Sequence, residues 1–112
     1  MTIDVKPARA AILLYHRVAV AEVDPFNLCV APEEFVFQIK YLKDRCVPMS
    51  LTAMLTALTE GRCPHRAVAI TFDDAYQDNL VEASPVLLSA GIPAIFFATT
   101  AHLEEEGEFW WD

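Results

Sequence analysis

Cationic residues are scarce in this chain, and the scarcity narrows the partners that it can have. Eight Lys and Arg residues stand against 16 Asp and Glu residues, so the 112 residues carry a formal net charge of −8. The sequence contains no basic stripe that could follow a phosphate backbone or an anionic membrane surface. We therefore expect no nucleic-acid partner.

Long apolar runs are also missing. Although 54% of the residues are hydrophobic, no segment approaches the roughly 18 apolar residues that a membrane helix needs. The apolar run after Arg9 covers only residues 10–15, and His16 and Arg17 end it without a cleavage site. That run is shorter than the roughly 7–15 apolar residues of a secretory signal. The sequence therefore predicts no membrane span and favours a cytoplasmic location.

Cysteine is rare, and its pattern excludes two kinds of site. Cys29, Cys46 and Cys63 are odd in number, widely spaced and without a Cys-x-x-Cys pair. A disulfide framework usually has an even number of cysteines, and a thiolate zinc site usually has closely spaced pairs such as Cys-x-x-Cys. We expect free, largely buried thiols.

Apolar runs and helical spacings alternate along the chain. The predicted elements are a strand over 10–15, a loop over 18–31, a helix over 32–44, an extended link over 45–49, a helix from Ser50 or Thr52 to Glu60, a strand over 67–72, a helix from Asp78 or Asn79 to Gly91, and a strand over 92–98. This order is typical of parallel strands joined by right-handed crossovers.

Three details of these elements can be checked against a structure. The continuous apolar run over 10–15 is typical of a strand buried on both faces. Leu51, Leu55 and Leu58 share one face of the second predicted helix. Pro85 predicts a kink or a new helix start near Ser84, because proline cannot donate a backbone hydrogen bond.

The stretch 67–79, Ala-Val-Ala-Ile-Thr-Phe-Asp-Asp-Ala-Tyr-Gln-Asp-Asn, concentrates the chemistry of the chain. A strand ends there at Asp73 and Asp74, and parallel sheets bind ligands beyond the carboxyl ends of their strands. One carboxylate can bind a metal while the other takes a proton from bound water. For an Asp pair without further context, capping of the next helix is the commoner interpretation.

The surrounding residues resemble the polysaccharide deacetylases, the NodB-homology domains of carbohydrate esterase family four. Thr71–Asp74, followed by Tyr76, Asp78 and Asn79, is similar to the first catalytic motif of the family, and Gly91–Thr99 resembles the strand that follows it. The segment 12–18, Ile-Leu-Leu-Tyr-His-Arg-Val, is similar to the opening strand of one branch. The resemblance implies an α/β fold: the N-terminal part of an irregular (β/α) barrel with parallel strands, not closed, with 1–112 as a partial domain.

The same resemblance implies roles for four residues. Asp73 is the expected general base and Asp74 the expected ligand of a divalent metal, zinc, while His16 and Tyr76 are expected at the rim. The implied reaction is hydrolysis of an N-acetyl or O-acetyl group on an oligo- or polysaccharide, with the metal polarising the acyl oxygen. For His16, a hydrogen-bonded residue at a strand end is the competing interpretation.

The sequence departs from the family pattern at two points. Ala75 stands where the family has Gly after the Asp pair, and Ala is strained wherever positive φ is needed. After Asp74 the only histidine is His102, so the His-x-x-x-His metal ligands and the later catalytic segments of the family have no counterpart. We therefore expect the chain alone to be inactive, with bare strand edges and apolar faces.

Two other hypotheses stay open on the sequence. One is a non-catalytic half-barrel that serves as a binding or assembly module, with a partner chain supplying the rest. The other is a different metal-dependent hydrolase that uses the Asp pair with His16 as a ligand. An in-frame His-x-x-x-His beyond Asp112 would favour a deacetylase fragment over the module.

Overall fold

The computed structural model describes residues 9–73 and 77–97. Its elements are β1 (Ala10–Tyr15), β2 (Arg17–Val18), β3 (Cys29–Val30), α1 (Pro32–Arg45), β4 (Val47–Pro48), α2 (Leu51–Thr59), β5 (Ala67–Phe72), a π-helical turn (Asn79–Ala83), α3 (Ser84–Ala90) and β6 (Ala94–Phe96). The predicted strands over 10–15 and 67–72 are confirmed. The loop predicted over 18–31 and the link predicted over 45–49 instead contain short strands, which are too brief to show a periodic pattern. The last strand is shorter than the predicted 92–98.

Strand β5 is the centre of a parallel four-stranded sheet. β1 runs along one side of it, and the pairing ends with Tyr15 opposite Phe72. On the other side, β4 pairs with the start of β5 and β6 with its end. β2 and β3 form a separate parallel pair. The predicted parallel arrangement is confirmed, and within the described residues the sheet does not close into a barrel.

The main core lies between one face of this sheet and the helices α1 and α3. The sheet contributes Tyr15, Val68, Ile70 and Phe72, and the helical segments contribute Phe35, Ile39, Leu42, Ala83 and Leu87. The ring of Phe72 stacks on Tyr15 with centroids 5.3 Å apart and on Phe96 with centroids 4.8 Å apart. These rings join β1, β5 and β6 near the carboxyl edge of the sheet.

Helix α1 forms where the sequence predicts it. Pro32 begins it, Glu33 and Glu34 lie in its first turn, and Lys43 and Arg45 lie in its last turn. Proline is tolerated at the first position, and this distribution of charges complements the helix dipole.

The helix after the Asp pair is divided in two, as Pro85 predicts. The π-helical turn comes first, and α3 starts at Ser84 with Pro85 in its first turn. The Ser84 hydroxyl donates to the Asn79 carbonyl at 3.2 Å. Gly91 ends α3 with φ of 68°, a left-handed conformation that glycine adopts at little cost.

Helix α2 packs on the opposite face of the sheet with a face that differs from the predicted one. The Ser50 hydroxyl caps it by accepting from the Ala53 N–H at 3.1 Å. Met54 and Ala57 are buried, whereas Leu55 and Leu58 are 51% and 42% exposed. Below α2 lie the small side chains Ala67 and Ala69 of β5, and Met54 packs on them together with the partly buried Leu51.

The prediction that β1 is buried on both faces is wrong. Ile12 and Leu14 are each 54% exposed, whereas Tyr15 is buried. Ile12 lies beside Ala69 of β5, on the face that α2 covers. Within the described residues α2 packs on Ala67 and Ala69 of β5, so the face of β1 that carries Ile12 and Leu14 is left largely bare.

The cysteines and the lengths of the helices bear on two predictions made from composition. Cys29, Cys46 and Cys63 are free thiols as predicted, but they are half-buried rather than largely buried. No helix in the described segments combines the length and the apolar character that crossing a bilayer requires.

Candidate active site

The carboxyl ends of β1 and β5 lie side by side at one edge of the sheet. Tyr15 pairs with Phe72, and the Asp73 N–H donates to the Tyr15 carbonyl at 3.0 Å. His16 directly follows Tyr15, so the backbone places His16 and Asp73 at the same rim. Both residues are half-buried. Their chemical roles stay predictions.

The rest of the predicted motif is the segment 74–76. Asp74, Ala75 and Tyr76 lie outside the described residues. The roles of Asp74 as metal ligand and of Tyr76 as a rim residue therefore stay predictions of the sequence, as does any strain from Ala75 in place of the family's Gly.

Asp78 contributes a contact that sequence reasoning missed. The sequence suggested Asp78 as part of the motif and as a possible helix start, yet its side chain makes no capping hydrogen bond. Its Oδ2 accepts from Arg17 Nε at 3.1 Å, and its Oδ1 accepts from the Val18 N–H at 3.3 Å. The Asp78 side chain is 14% exposed and that of Arg17 28%. This carboxylate therefore ties the segment after His16 to the helical segment after the Asp pair.

The burial of the Asn79 side chain is a second feature that the sequence did not indicate, although Asn79 belongs to the motif and was a possible helix start. Asn79 is 3% exposed, and neither Nδ2 nor Oδ1 has a hydrogen-bond partner within the described structure. A buried polar group left unpaired costs roughly 1–3 kcal/mol. The residue opens the π-helical turn, and π-bulges occur often at functional sites. No sequence pattern separates such an amide from an ordinary helix-starting Asn.

The loop between β2 and β3 borders the rim. Asp24 accepts from the Leu28 N–H at 2.8 Å and from the Cys29 N–H at 3.0 Å. These two backbone hydrogen bonds lower the pKa of the Asp24 carboxyl below its ordinary value. Burial and then the nearby Asp24 charge raise the pKa of the Cys29 thiol. Local hydrogen bonds thus fix the conformation of the loop, and Asn27 of the loop lines the same cavity as His16.

The described residues do not fit a metal site by themselves. In segments 9–73 and 77–97, no three His, Cys, Asp or Glu side chains come together as a metal site would require. Catalytic zinc normally takes three protein ligands and an open position. Asp73 and His16 share the rim, but two donors do not make such a set.

The chain is similar to known proteins over most of its length. Residues 60–111 match the family model described as polysaccharide deacetylase. Over 96 residues the chain is 35% identical to YxkH of Bacillus subtilis, whose name provisionally places it among polysaccharide deacetylases. A poly-beta-1,6-N-acetyl-D-glucosamine N-deacetylase of Staphylococcus aureus is 36% identical over 81 residues.

These alignments cover only part of the relatives. They include 82% and 71% of this chain, but 32% of YxkH and 28% of the Staphylococcus aureus protein. The chain thus spans about a third of the length of the curated relatives that it matches.

Two solved structures share the fold. The Streptococcus pyogenes deacetylase PplD, in complex with acetate, is 29% identical with a TM-score of 0.72, over 81% of this chain and 42% of its own. IcaB from Ammonifex degensii is 24% identical with a TM-score of 0.77, over 92% of this chain and 43% of its own. At the identity of IcaB the likeness shows the fold alone. The predicted fold class, an unclosed parallel α/β sheet of this barrel type, is confirmed.

Proposed function

Because this chain is related to the polysaccharide deacetylases, we propose that it is part of a metal-dependent enzyme that removes acetyl groups from N-acetylated or O-acetylated sugars. The observation that carries the proposal is the backbone pairing that sets Asp73 beside His16. That rim is where parallel sheets bind ligands. The Staphylococcus aureus relative is named for a poly-N-acetylglucosamine, which favours an acetylated polysaccharide as the substrate.

Asp73 is the proposed general base. A base has to be held within reach of the proton that it removes, and the hydrogen bond from the Asp73 N–H to Tyr15 ties the residue to the end of β1. The neighbouring carboxylate of Asp78 is already held by Arg17 and Val18. Asp73 is therefore the better candidate among the described carboxylates. His16 and Tyr76 are proposed to border the bound sugar.

Asp74 is the proposed ligand of a divalent metal, with zinc as the expected ion. When bound, such an ion polarises the acyl oxygen and makes its bound water more acidic. The described residues do not complete a ligand set, so further donors have to come from outside them. The cytoplasmic location stays a prediction of the sequence.

The chain alone is expected to bind zinc weakly and to release no acetate from chitooligosaccharides. Zinc catalysis normally uses three protein ligands, and Asp73 has to stay unligated to act as a base. Titration calorimetry with zinc and an acetate assay check this on the 112-residue chain. Tight zinc binding, or acetate release that Asp73→Asn abolishes, would show that the chain already holds a complete site.

The role of Asp73 is tested in a chimera in which this chain replaces the matching segment of YxkH. We expect Asp73→Asn to lower acetate release from acetylated oligosaccharides by about 10²–10⁴-fold, the contribution of a positioned general base. Asp44→Asn is the matched control, because Asp44 is an exposed carboxylate near the end of α1. An active chimera whose rate survives Asp73→Asn would remove Asp73 from the reaction.

A further inference from the structure

A groove that is open to solvent lies between helices α1 and α3. It has a volume of about 450 Å³. Neither His16 nor Asp73 belongs to its lining, so the groove is separate from the candidate active site. From α1 the lining includes Val36, Ile39, Lys40 and Lys43, and from α3 it includes Pro85 and Val86.

The groove has an apolar floor and a cationic border. Ile39 is 1% exposed and lies at the floor, while Val36 is 49% exposed on the α1 wall. Lys40 and Lys43 are exposed, and their spacing of three residues places them on the same side of α1. Among the described residues, the lining contains no Asp or Glu. An apolar surface of this kind, bordered by charges of one sign, is typical of an interaction site.

The two lysines stand out from the charge of the whole chain. They are two of only three lysines in a sequence that has 16 acidic residues. Within the described structure neither Lys40 nor Lys43 forms an ion pair. Exposed charges act mainly within a Debye length, about 8 Å at physiological ionic strength. The border of the groove therefore attracts anionic groups even though the chain as a whole is acidic.

The size and the charge of the groove favour a helix as its occupant. Residues 36–43 of α1 span about 10 Å, or roughly two helical turns, and an amphipathic helix lies in such a groove through apolar residues spaced one turn apart. Nucleic acid and an anionic bilayer present extended negative charge to a chain of net charge −8, which opposes their approach. A second copy of the chain would bring another eight negative charges.

We propose that the groove between α1 and α3 is a docking surface for an acidic amphipathic helix of a partner protein. The apolar face of that helix lies on Val36 and Val86, and its carboxylates pair with Lys40 and Lys43. The inference rests on these two helices and their charges, and it does not depend on the proposed deacetylase function.

The test uses the full chain and three synthetic helical peptides of about 15 residues, the length at which isolated helices become marginally stable. The first peptide has leucines on one face and glutamates beside them. In the second peptide lysines replace the glutamates, and in the third serines replace the leucines. We expect fluorescence anisotropy of labelled peptides to show that the chain binds only the first.

Charge reversal then identifies the groove. Lys40→Glu combined with Lys43→Glu should weaken binding of the first peptide by at least about tenfold, because two exposed attractions become repulsions. The same double variant should bind the second peptide instead. Arg9→Glu combined with Arg62→Glu is the matched control. It changes the net charge equally at two exposed residues outside the lining, and it should bind the first peptide as the unchanged chain does.

Four outcomes would overturn the inference. The first is that a folded chain does not bind the first peptide, and the second is that both double variants weaken binding equally. The third is that the serine peptide binds as tightly as the leucine peptide, because charge alone would then explain the binding. The fourth is a dimer of the chain alone that Lys40→Glu with Lys43→Glu dissociates, because the groove would then bind a second copy. Circular dichroism of each variant confirms that it is folded.

Discussion

Strands β1 and β5 are both six-residue apolar strands, yet their environments differ. β1 reads Ala-Ala-Ile-Leu-Leu-Tyr and β5 reads Ala-Val-Ala-Ile-Thr-Phe. Every residue of β5 is buried, while in β1 only Tyr15 is. Among the described residues, β5 has strands on both sides and helices on both faces, whereas β1 has one neighbouring strand and one covered face. The burial of a strand is therefore a property of its neighbours as much as of its own side chains.

The two faces of β1 show this difference within one strand. Leu13 packs against the core and Tyr15 belongs to it, because α1 covers that face. Ile12 and Leu14 point the other way, as alternate residues of a strand do, and both are 54% exposed. β1 is thus a core strand on one face and a largely bare strand on the other.

The largest expected effect is the difference in stability between the same Ile→Ala change made in β5 and in β1. Ile70→Ala in β5 is expected to lower the free energy of unfolding by about 2–5 kcal/mol, because it leaves a cavity in a packed core. Ile12→Ala in β1 should cost about 1 kcal/mol or less, since the side chain is already half in water. Urea denaturation followed by circular dichroism measures both. Equal losses would break the contrast between the two strands.

The short strand β2, which follows β1, should depend on a polar contact as well as on apolar burial. Asp78→Ala removes the acceptor of the Val18 N–H. It should lower the free energy of unfolding by about 1–3 kcal/mol, because Val18 is fully buried and its N–H is left without that acceptor. Asp78→Asn keeps an acceptor oxygen and should cost about 1 kcal/mol or less, the usual contribution of a partly exposed ion pair. Glu82→Ala, at an exposed acid of the same turn, is the control. A loss for Asp78→Ala no greater than for Glu82→Ala would contradict this account.

The smallest expected effect concerns the buried end of β1 at high pH. Burial raises the pKa of the Tyr15 phenol above its ordinary value of 10.0, and its hydroxyl donates to Gln38 Oε1 at 2.6 Å. A raised pKa in the folded state favours the neutral phenol. Its stabilising contribution is therefore complete below the pKa of the unfolded chain, about 10, and is lost as the pH rises through the pKa of the folded state.

Denaturation midpoints measured between about pH 8 and 11 check this, a range that spans the ordinary phenol pKa. Tyr15→Phe should flatten the alkaline loss of stability. Tyr41→Phe should leave it in place, because Tyr41 is 51% exposed. If both variants respond alike, the alkaline loss has another origin.

The position of Asp73 could be predicted because its signal is local. The six residues before Asp73 form a buried strand, and a carboxylate after such a strand lies at a predictable edge of a parallel sheet. The pairing of Arg17 with Asp78 could not be predicted in this way. It joins residues 61 positions apart, and neither residue stands out from its own neighbours.

Local residue chemistry in the sequence determined where the elements begin and end. Pro32 and Ser50 start helices and Gly91 ends one, because cap geometry depends on a few adjacent residues. The tertiary structure alone decided that β5 is enclosed, that β1 is an edge strand within the described part of the chain, and that Asp78 binds Arg17. Burial and long-range ion pairs depend on which elements pack together. The sequences of two apolar strands of similar composition do not show which elements will pack against each of them.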